Sequence, residues 1–156
     1  MIIKPSPLKL IQFFITRIEV DFSDPESYED FVPESESENY NIDVDFSIKQ
    51  LAKDVFHVFV KTDINKGGVL SGYEISSECL GIFHLSDEIP DEDIKKLINT
   101  SALVMTLNYL RAYIANATSS MPWGQYLLPS IDMQDLHSKK VQLIKELKPK
   151  QKKKRK

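Results

Sequence analysis

The sequence predicts an α+β fold, in which a four-stranded antiparallel sheet is followed by one long and one short helix. Three observations support this prediction. Four segments within residues 8–85 alternate apolar and polar residues or are apolar on both faces, as strands are. A helical pattern then covers residues 91–118, and a shorter one covers residues 132–147. No strand pattern returns after the helices, so the two kinds of element are segregated along the chain.

The first predicted strand covers residues 8–22, and its first half is apolar on both faces. A strand of this kind is covered on both sides or lies at an interface between subunits. Regular alternation assigns one face to Leu10, Phe14, Ile18 and Val20 and the other to Ile11, Phe13 and Ile15.

Residues 23–40 form a predicted crossing loop, because seven acids alternate there with small residues and two prolines. The remaining strands are predicted over residues 41–49, 54–64 and 69–85, the last two joined by a turn at Gly67-Gly68. The second of the four strands shows the most regular alternation of apolar and polar residues.

The long helix is apolar on almost every side, which a surface helix of a small domain does not require. Its unbroken apolar run is shorter than the roughly 18 residues of a membrane span, and Asn108 and Arg111 interrupt it, so no membrane insertion is expected. We therefore expect the helix to cover its own sheet on one side and a partner subunit on the other. The residues assigned to this oligomer interface are Leu103, Leu107, Leu110, Tyr113 and Ile114.

Length and charge indicate one domain with a basic extension. A chain of 156 residues, 42% of them hydrophobic, suits a single domain, predicted over residues 1–147. Residues 148–156 are predicted to be a disordered basic tail. Residues 145–156 hold eight basic groups and one acid, whereas the rest of the chain holds 12 basic groups and 22 acids. The tail has no aromatic residue to stack on bases, so it is either a solvated tail or a weak contact for an anionic partner.

Nothing in the sequence indicates catalysis or a bound cofactor. The single cysteine, Cys79, excludes an internal disulfide and is compatible with a reducing compartment. Residues 1–5 lack the uninterrupted apolar segment of a signal peptide, so we expect a cytoplasmic protein. His57, His84 and His137 lie in three different elements without a ligand pattern, and there is no phosphate loop or nucleophile elbow. Neither an enzyme nor a metal centre is predicted.

One segment imitates a calcium site. Asp63, Asn65, Gly68 and Glu74 stand at the first, third, sixth and twelfth positions of a calcium-binding loop. Such a loop must lie between two helices, whereas both flanks of this segment alternate as strands, and Gly67 at its fifth position has no side-chain oxygen. We interpret the segment as a hairpin turn, with a calcium-sensing module as the alternative.

Several segments of the chain, in order, resemble those of a known family. The long helix carries a Tyr-x-Arg motif at residues 109–111, and the Pro-containing loop that follows ends in Leu-Pro-Ser-Ile-Asp at residues 128–132. This order resembles the SecB family of export chaperones. Residues 51–56 and 81–83 are similar to family segments at comparable spacing, and the resemblance covers roughly residues 9–137.

The resemblance implies an ATP-independent chaperone that binds unfolded polypeptides in apolar grooves, assembled as a homotetramer from two dimers. Its clients would be preproteins for export or, as for some SecB-like proteins, the antitoxin of a toxin–antitoxin system. In the family, the crossing loop, the sheet and the second helix form the groove. The client-binding residues implied here are Tyr28, Phe31, Val32, Tyr40, Leu127, Leu128, Met133 and Leu136.

Two departures from the family concern the translocation ATPase SecA, to which export SecB proteins hand their clients. The family carries a Leu-x-Glu on its fourth strand, whereas the corresponding positions here hold Glu74 and Ser76. The family's usual acidic tail is basic here. Both departures weaken the expectation of SecA as a partner. A competing interpretation is a nucleic-acid-binding adaptor that uses the basic tail, whose binding would fall steeply with salt.

Overall fold

A computed structural model describes residues 5–27, 37–86 and 89–152 of the chain. Four strands come first: β1 (Leu8–Ser23), β2 (Ile42–Ala52), β3 (Val55–Ile64) and β4 (Gly72–Leu85). A continuous helical stretch follows as α1 (Asp91–Leu97), a π-helical turn (Ile98–Ala102) and α2 (Leu103–Thr118), and then comes α3 (Met133–Lys152). The predicted α+β class, with an antiparallel four-stranded sheet, one long and one short helix, is confirmed.

The four strands form one sheet in the order β1–β4–β3–β2. Strands β2, β3 and β4 are a meander, whereas β1 lies at the far edge beside the last strand. It pairs along its whole length with β4, from Leu8 opposite Leu85 to Ser23 opposite Gly72. Consequently β1 and β2 are the two edges of the sheet.

The core lies between one face of this sheet and α2. Alternate residues of β4 are buried, and those between them are partly exposed. At Gly81 of β4, a Cβ atom would stand 2.7 Å from Thr106 Oγ1 of α2, so a glycine is needed for this close approach of helix and sheet. The large apolar residues that α2 contributes to the core are Leu103, Leu107, Leu110 and Ile114.

Two β-bulges in β1 change the face that its side chains occupy. The register against β4 shifts within residues 10–12 and again within residues 15–17. Each bulge inserts one residue into β1, so the alternation restarts after it. Phe14, which was predicted to share a face with Leu10, is exposed, whereas Phe13 packs against the core. The regular alternation predicted for β1 is therefore wrong.

Three element boundaries differ from the predictions by three residues or more. Strand β2 continues to Ala52 and not only to residue 49. Strand β4 begins at Gly72 and not at residue 69, and α3 continues to Lys152 and not only to residue 147. The first five residues of the predicted basic tail are thus helical, and residues 153–156 lie outside the described part of the chain. The division into a domain and a tail stays a prediction. Within the described ranges, no helix is long and apolar enough to cross a membrane.

The π-helical turn marks the point where the long helix meets α3. Asn99 and Thr100 fold their side chains back onto carbonyl groups one turn earlier, at 2.7 and 2.6 Å. Side chains that bond preceding carbonyls compete with regular helical hydrogen bonds. The Asn99 carbonyl lies 2.9 Å from Nε2 of His137 on α3. A carbonyl only accepts, so His137 donates and α3 is anchored at this turn.

Candidate functional site

A groove of about 470 Å³ lies between the edge strand β2 and helix α3. On the strand side it is lined by four consecutive residues, 42–45. Consecutive residues of a strand point to opposite faces of the sheet, so a cavity lined by all four runs along the edge of the strand. The backbone groups on the side of β2 away from β3 therefore face this groove.

The hydrogen bonding of Phe46 identifies these backbone groups. Its N–H donates to the carboxylate of Asp45 at 2.8 Å, which directs it to the outer edge of β2. Alternate residues of an antiparallel strand direct their backbone groups to the same edge. The N–H and C=O groups of Ile42 and Val44 therefore point into the groove, where an extended peptide can pair with them.

Contacts within about one turn of α3 hold this helix over β2. Leu136 is buried, and the ring of His137 meets the ring of Phe46 edge-on at 5.3 Å between centroids. Lys140 places Nζ over the same ring, 5.6 Å from its centre, and pairs with Asp45 of β2. The helix is therefore fixed to the sheet along one side and forms the second wall of the groove.

Charged side chains accompany the apolar lining of the groove. The apolar lining residues are Ile42, Val44, Ile131, Leu136 and Leu143. The charged ones are five acids and two lysines: Asp43, Asp45, Asp132, Asp135, Glu146, Lys139 and Lys140. Both lysines are paired with acids, Lys139 with Asp135 at 2.7 Å and Lys140 with Asp45. The groove is therefore apolar with an acidic rim.

A cluster of tyrosines fixes the loop between α2 and α3 to the sheet. Tyr126 stacks on Tyr40 at 5.9 Å between ring centroids and meets Tyr73 edge-on at 6.5 Å. The Tyr40 hydroxyl accepts from the N–H of Tyr73 and donates to the carbonyl of Ser71, both at 2.9 Å. Tyr73 in turn donates to the carbonyl of Gly124 at 2.7 Å. The cluster closes one end of the core.

Tyr126→Phe is expected to leave the free energy of unfolding unchanged or to raise it by about 1 kcal/mol. The Tyr126 hydroxyl is buried without a hydrogen-bond partner among the described residues, and burial raises its pKa to about 12. Removing an unsatisfied buried hydroxyl relieves a desolvation penalty of ~1–3 kcal/mol. Urea unfolding followed by circular dichroism measures the change. Tyr73→Phe is the matched control, since it loses the bond to Gly124 and should be destabilised by about 1 kcal/mol. A clear loss of stability in Tyr126→Phe would mean that its hydroxyl has a partner.

The residues implied to bind clients do not form one surface. Tyr28, Phe31 and Val32 lie outside the described residues. Tyr40 and Leu128 are 7% and 1% exposed, so the structure corrects their assignment from groove lining to core.

Three further residues of that set take different positions. Leu136 is buried but borders the groove, and Met133 is partly buried beside a smaller pocket. Leu127 is 67% exposed, although it does not line the groove. These three keep their assignment as a prediction, with direct access to the groove only for Leu136.

Helix α2 has a core face and an outer face. The core face carries Leu103, Leu107, Leu110 and Ile114, all at most 3% exposed in the single chain. The structure therefore corrects their assignment to an oligomer interface. Tyr113 and Tyr109 lie on the outer face at 41% and 50% exposure, and the ring of Phe13 on β1 is 5.4 Å from that of Tyr109. Of the five residues assigned to the interface, Tyr113 keeps this assignment as a prediction, and oligomerisation itself stays a prediction.

The segment that imitates a calcium loop is a β-hairpin between β3 and β4. Glu74 accepts the N–H of Gly67 at 2.7 Å, and Asp63 accepts from Ser76 at 2.6 Å and from Lys66 at 3.1 Å. Burial alone would raise the pKa of Asp63, but the bonds from Ser76 and Lys66 outweigh it and lower this pKa below its ordinary value. Both acids thus have partners within the hairpin. In the part of the chain that is described, no group of three or more His, Cys, Asp or Glu is placed to hold a metal ion.

Comparison with known proteins decides the family. The sequence matches the family described as preprotein translocase subunit SecB over residues 5–143, which is most of the chain. The chain belongs to the SecB family. This confirms the resemblance found in the sequence. A search of curated proteins gives no match.

Among solved structures, the SecB fold of this chain is similar to the Mycobacterium tuberculosis Rv1957 SecB-like chaperone in complex with a ChAD peptide from the Rv1956 HigA1 antitoxin. The TM-score is 0.57 at 12% identity, covering 80% of this chain and 91% of that one, so the likeness concerns the fold. A Streptococcus agalactiae protein of unknown function is 14% identical over 79% of this chain and 97% of its own, with a TM-score of 0.43. That likeness is too slight to support an argument.

The groove of this SecB-family chain is lined partly by residues that the sequence did not single out as a site. The alternation in β2 placed Ile42 and Val44 on the inner face of a strand, but it did not show that β2 is an edge. Leu143 falls in the predicted short helix, whose orientation on the sheet no sequence pattern reveals. The edge position of β2 was the missing information.

Proposed function

We propose that this SecB-family protein is a chaperone that binds unfolded polypeptides without ATP and holds one extended segment in the groove between β2 and α3. The observation that supports this proposal most is that four consecutive residues of the edge strand line the groove. A polypeptide laid along this edge pairs through its main chain, whatever its sequence. Its side chains reach the apolar lining. Such a site suits clients that share an unfolded backbone and no common sequence.

The activity follows from mass action. A protein that binds the unfolded state of a client and not its folded state shifts the equilibrium and delays both folding and aggregation. No nucleotide hydrolysis and no catalytic step is part of this proposal. We place the activity in the cytoplasm and in a homotetramer, as the family resemblance implies.

Two kinds of client fit the comparisons. The family description names preprotein translocation, and the similar M. tuberculosis chaperone is in complex with an antitoxin peptide. We leave SecA out of the proposal because Glu74 on the outer sheet face is bonded to a backbone N–H. Apolar Phe14, Leu80 and Phe59 also lie side by side across that face.

Leu143→Asp is expected to weaken protection of an aggregating client by about tenfold or more. Leu143 lines the groove and is 52% exposed, so a bound client buries it, and full burial of a leucine contributes ~1.5–3 kcal/mol. Light scattering of a reduced, unfolding protein at increasing chaperone ratios, without nucleotide, measures protection. Val141→Asp is the matched control, because Val141 lies on the same helix at 50% exposure and does not line the groove. Equal protection by the parent and by Leu143→Asp would exclude the groove as the client site.

Removal of residues 148–156 separates this proposal from the nucleic-acid adaptor. Burial of apolar surface does not need the basic tail, so the truncated chain should protect clients as well as the parent does. A truncated chain that has lost all activity, together with binding of the parent to nucleic acid that falls steeply with salt, would replace the chaperone by the adaptor.

A further inference from the structure

A second, smaller pocket of about 130 Å³ adjoins the groove, between α2 and residues 130–133. Its polar lining residues are Asn108, Arg111 and Ser130, beside the apolar Met133. Residues 130 and 131 line both cavities, so the pocket opens on the other side of the segment that borders the groove. A client segment that extends from the groove past residues 130–131 therefore lies beside this pocket.

Arg111 is the only charged residue within α2, and it is partly buried. Its Nε donates to the carbonyl of Leu128 at 2.8 Å, which fixes the plane of the guanidinium. None of the ion pairs among the described residues includes Arg111. A partly buried cation is ordinarily paired, and the two terminal nitrogens of this guanidinium still carry four N–H donors. The pocket thus holds an oriented cation with donors to spare.

We infer that the Arg111 pocket binds a carboxylate of the client, so that this protein prefers segments with an acid next to apolar residues. This inference rests on the proposed function and names a chemical preference of its site. A guanidinium fork binds a carboxylate through two parallel hydrogen bonds, and Asn108 and Ser130 add further polar groups. The pocket is smaller than the ~300 Å³ of ordinary ligand sites, which fits one side chain or one chain terminus.

The charges of the two cavities also select the orientation of the client. The rim of the groove is acidic, so a client carboxylate is repelled there and attracted to Arg111. A basic client residue has the opposite preference. A segment with an acid at one end is therefore bound in one direction and not in the reverse.

The test uses three short fluorescein-labelled peptides of Leu, Phe and Ser, measured by fluorescence anisotropy. One carries a central Asp and an amidated C-terminus, the second has Asn in place of Asp, and the third is the Asn peptide with a free C-terminus. The parent should bind the Asp peptide, the free-terminus peptide or both about tenfold more tightly than the amidated Asn peptide, as expected for charge-assisted hydrogen bonds. The peptide that binds more tightly than the amidated Asn peptide identifies the source of the client carboxylate, which is either an acidic side chain or the C-terminus.

Arg111→Gln should bring these affinity ratios to one without weakening the binding of the amidated Asn peptide. Arg111→Lys keeps the positive charge but loses the two parallel hydrogen bonds of the guanidinium, so its affinity ratios should be intermediate. If Arg111→Gln does not fold, the ratios measured with Arg111→Lys test the inference. Arg17→Gln is the matched control, because Arg17 pairs with Glu19 at 2.7 Å on the outer sheet face. It should keep the ratios of the parent.

Three results would overturn the inference. Equal affinities of the parent for all three peptides would exclude the carboxylate site while leaving the proposed function intact. Failure to bind any peptide, together with no protection of an aggregating client, would remove both. A smaller native mass of Arg111→Gln than of the parent would show that a carboxylate of another subunit occupies the pocket.

Discussion

Leu107→Asp is expected to abolish folding, whereas Tyr113→Asp leaves the chain folded and reduces its native mass. Leu107 is 3% exposed and packs α2 onto the sheet. Replacing it removes ~2–5 kcal/mol of packing and buries an unpaired carboxylate at a cost of several kcal/mol more. The sum is comparable with the ~5–15 kcal/mol that stabilises a typical domain. Far-ultraviolet circular dichroism and thermal unfolding measure the loss.

Tyr113 is on the same helix but 41% exposed, on the outer face beside Tyr109. An aspartate there is solvated in the free chain, so the fold and its melting temperature should change little. In an oligomer joined through this face, symmetry places charges near each other in an apolar contact, which weakens association. Multi-angle light scattering at micromolar concentration distinguishes the states. A parent protein that is monomeric and well folded under these conditions would rule out the outer face of α2 as an interface.

Gly72→Ala is expected to lower the free energy of unfolding by about 3 kcal/mol. Gly72 has a φ of 102°, where an L residue is strained by ~1–2 kcal/mol, and its new methyl group would collide with the Tyr40 hydroxyl. Displacing that hydroxyl breaks its bonds to Tyr73 and Ser71, each contributing ~1 kcal/mol. Urea unfolding at neutral pH measures the difference.

Gly67→Ala is the control for Gly72→Ala. Gly67 also has a positive φ, 86°, but no atom lies within 4 Å of the Cβ position, so only the conformational strain of ~1 kcal/mol is expected. In a Tyr40→Phe background, Gly72→Ala should cost less than in the parent, because the hydroxyl that it displaces is absent. Equal effects at Gly72 and Gly67 would show that the contact with Tyr40 is not important for stability.

The elements of the fold were predictable because their signal is local. Within residues 42–49 of β2, apolar and polar residues alternate regularly, and in β3 the inward residues Phe56, Val58 and Val60 recur at every second position. In α2 the apolar residues exceed what one stripe can hold. The faces of β1 were not predictable in the same way. A bulge is a relation between two strands, and the extra residues at 10–12 and 15–17 appear only when β1 is aligned with β4.

The site was harder to predict than the fold. Large apolar residues in loops suggested an open client surface, but Tyr40 and Leu128 close the core, since hydrophobicity does not distinguish a covering residue from an exposed one. The groove depends on β2 being an edge. That position follows from the pairing of β1 with β4, which sequence separation makes difficult to foresee. Arg111 was visible in the sequence, but its lack of an acidic partner was not.

The pairing of β1 with β4 also determines the order in which the protein can fold. Strand β1 is synthesised first, yet its partners extend from Gly72 to Leu85, so it has no strand to pair with until β4 has left the ribosome. The β2–β3–β4 meander closes short loops and can form early, whereas docking of β1 closes a long loop and is expected to be slow. Until then, a strand of 16 residues with apolar side chains on both faces stays uncovered. A protein proposed to bind unfolded polypeptides therefore itself passes through a folding stage in which an apolar strand is exposed to aggregation.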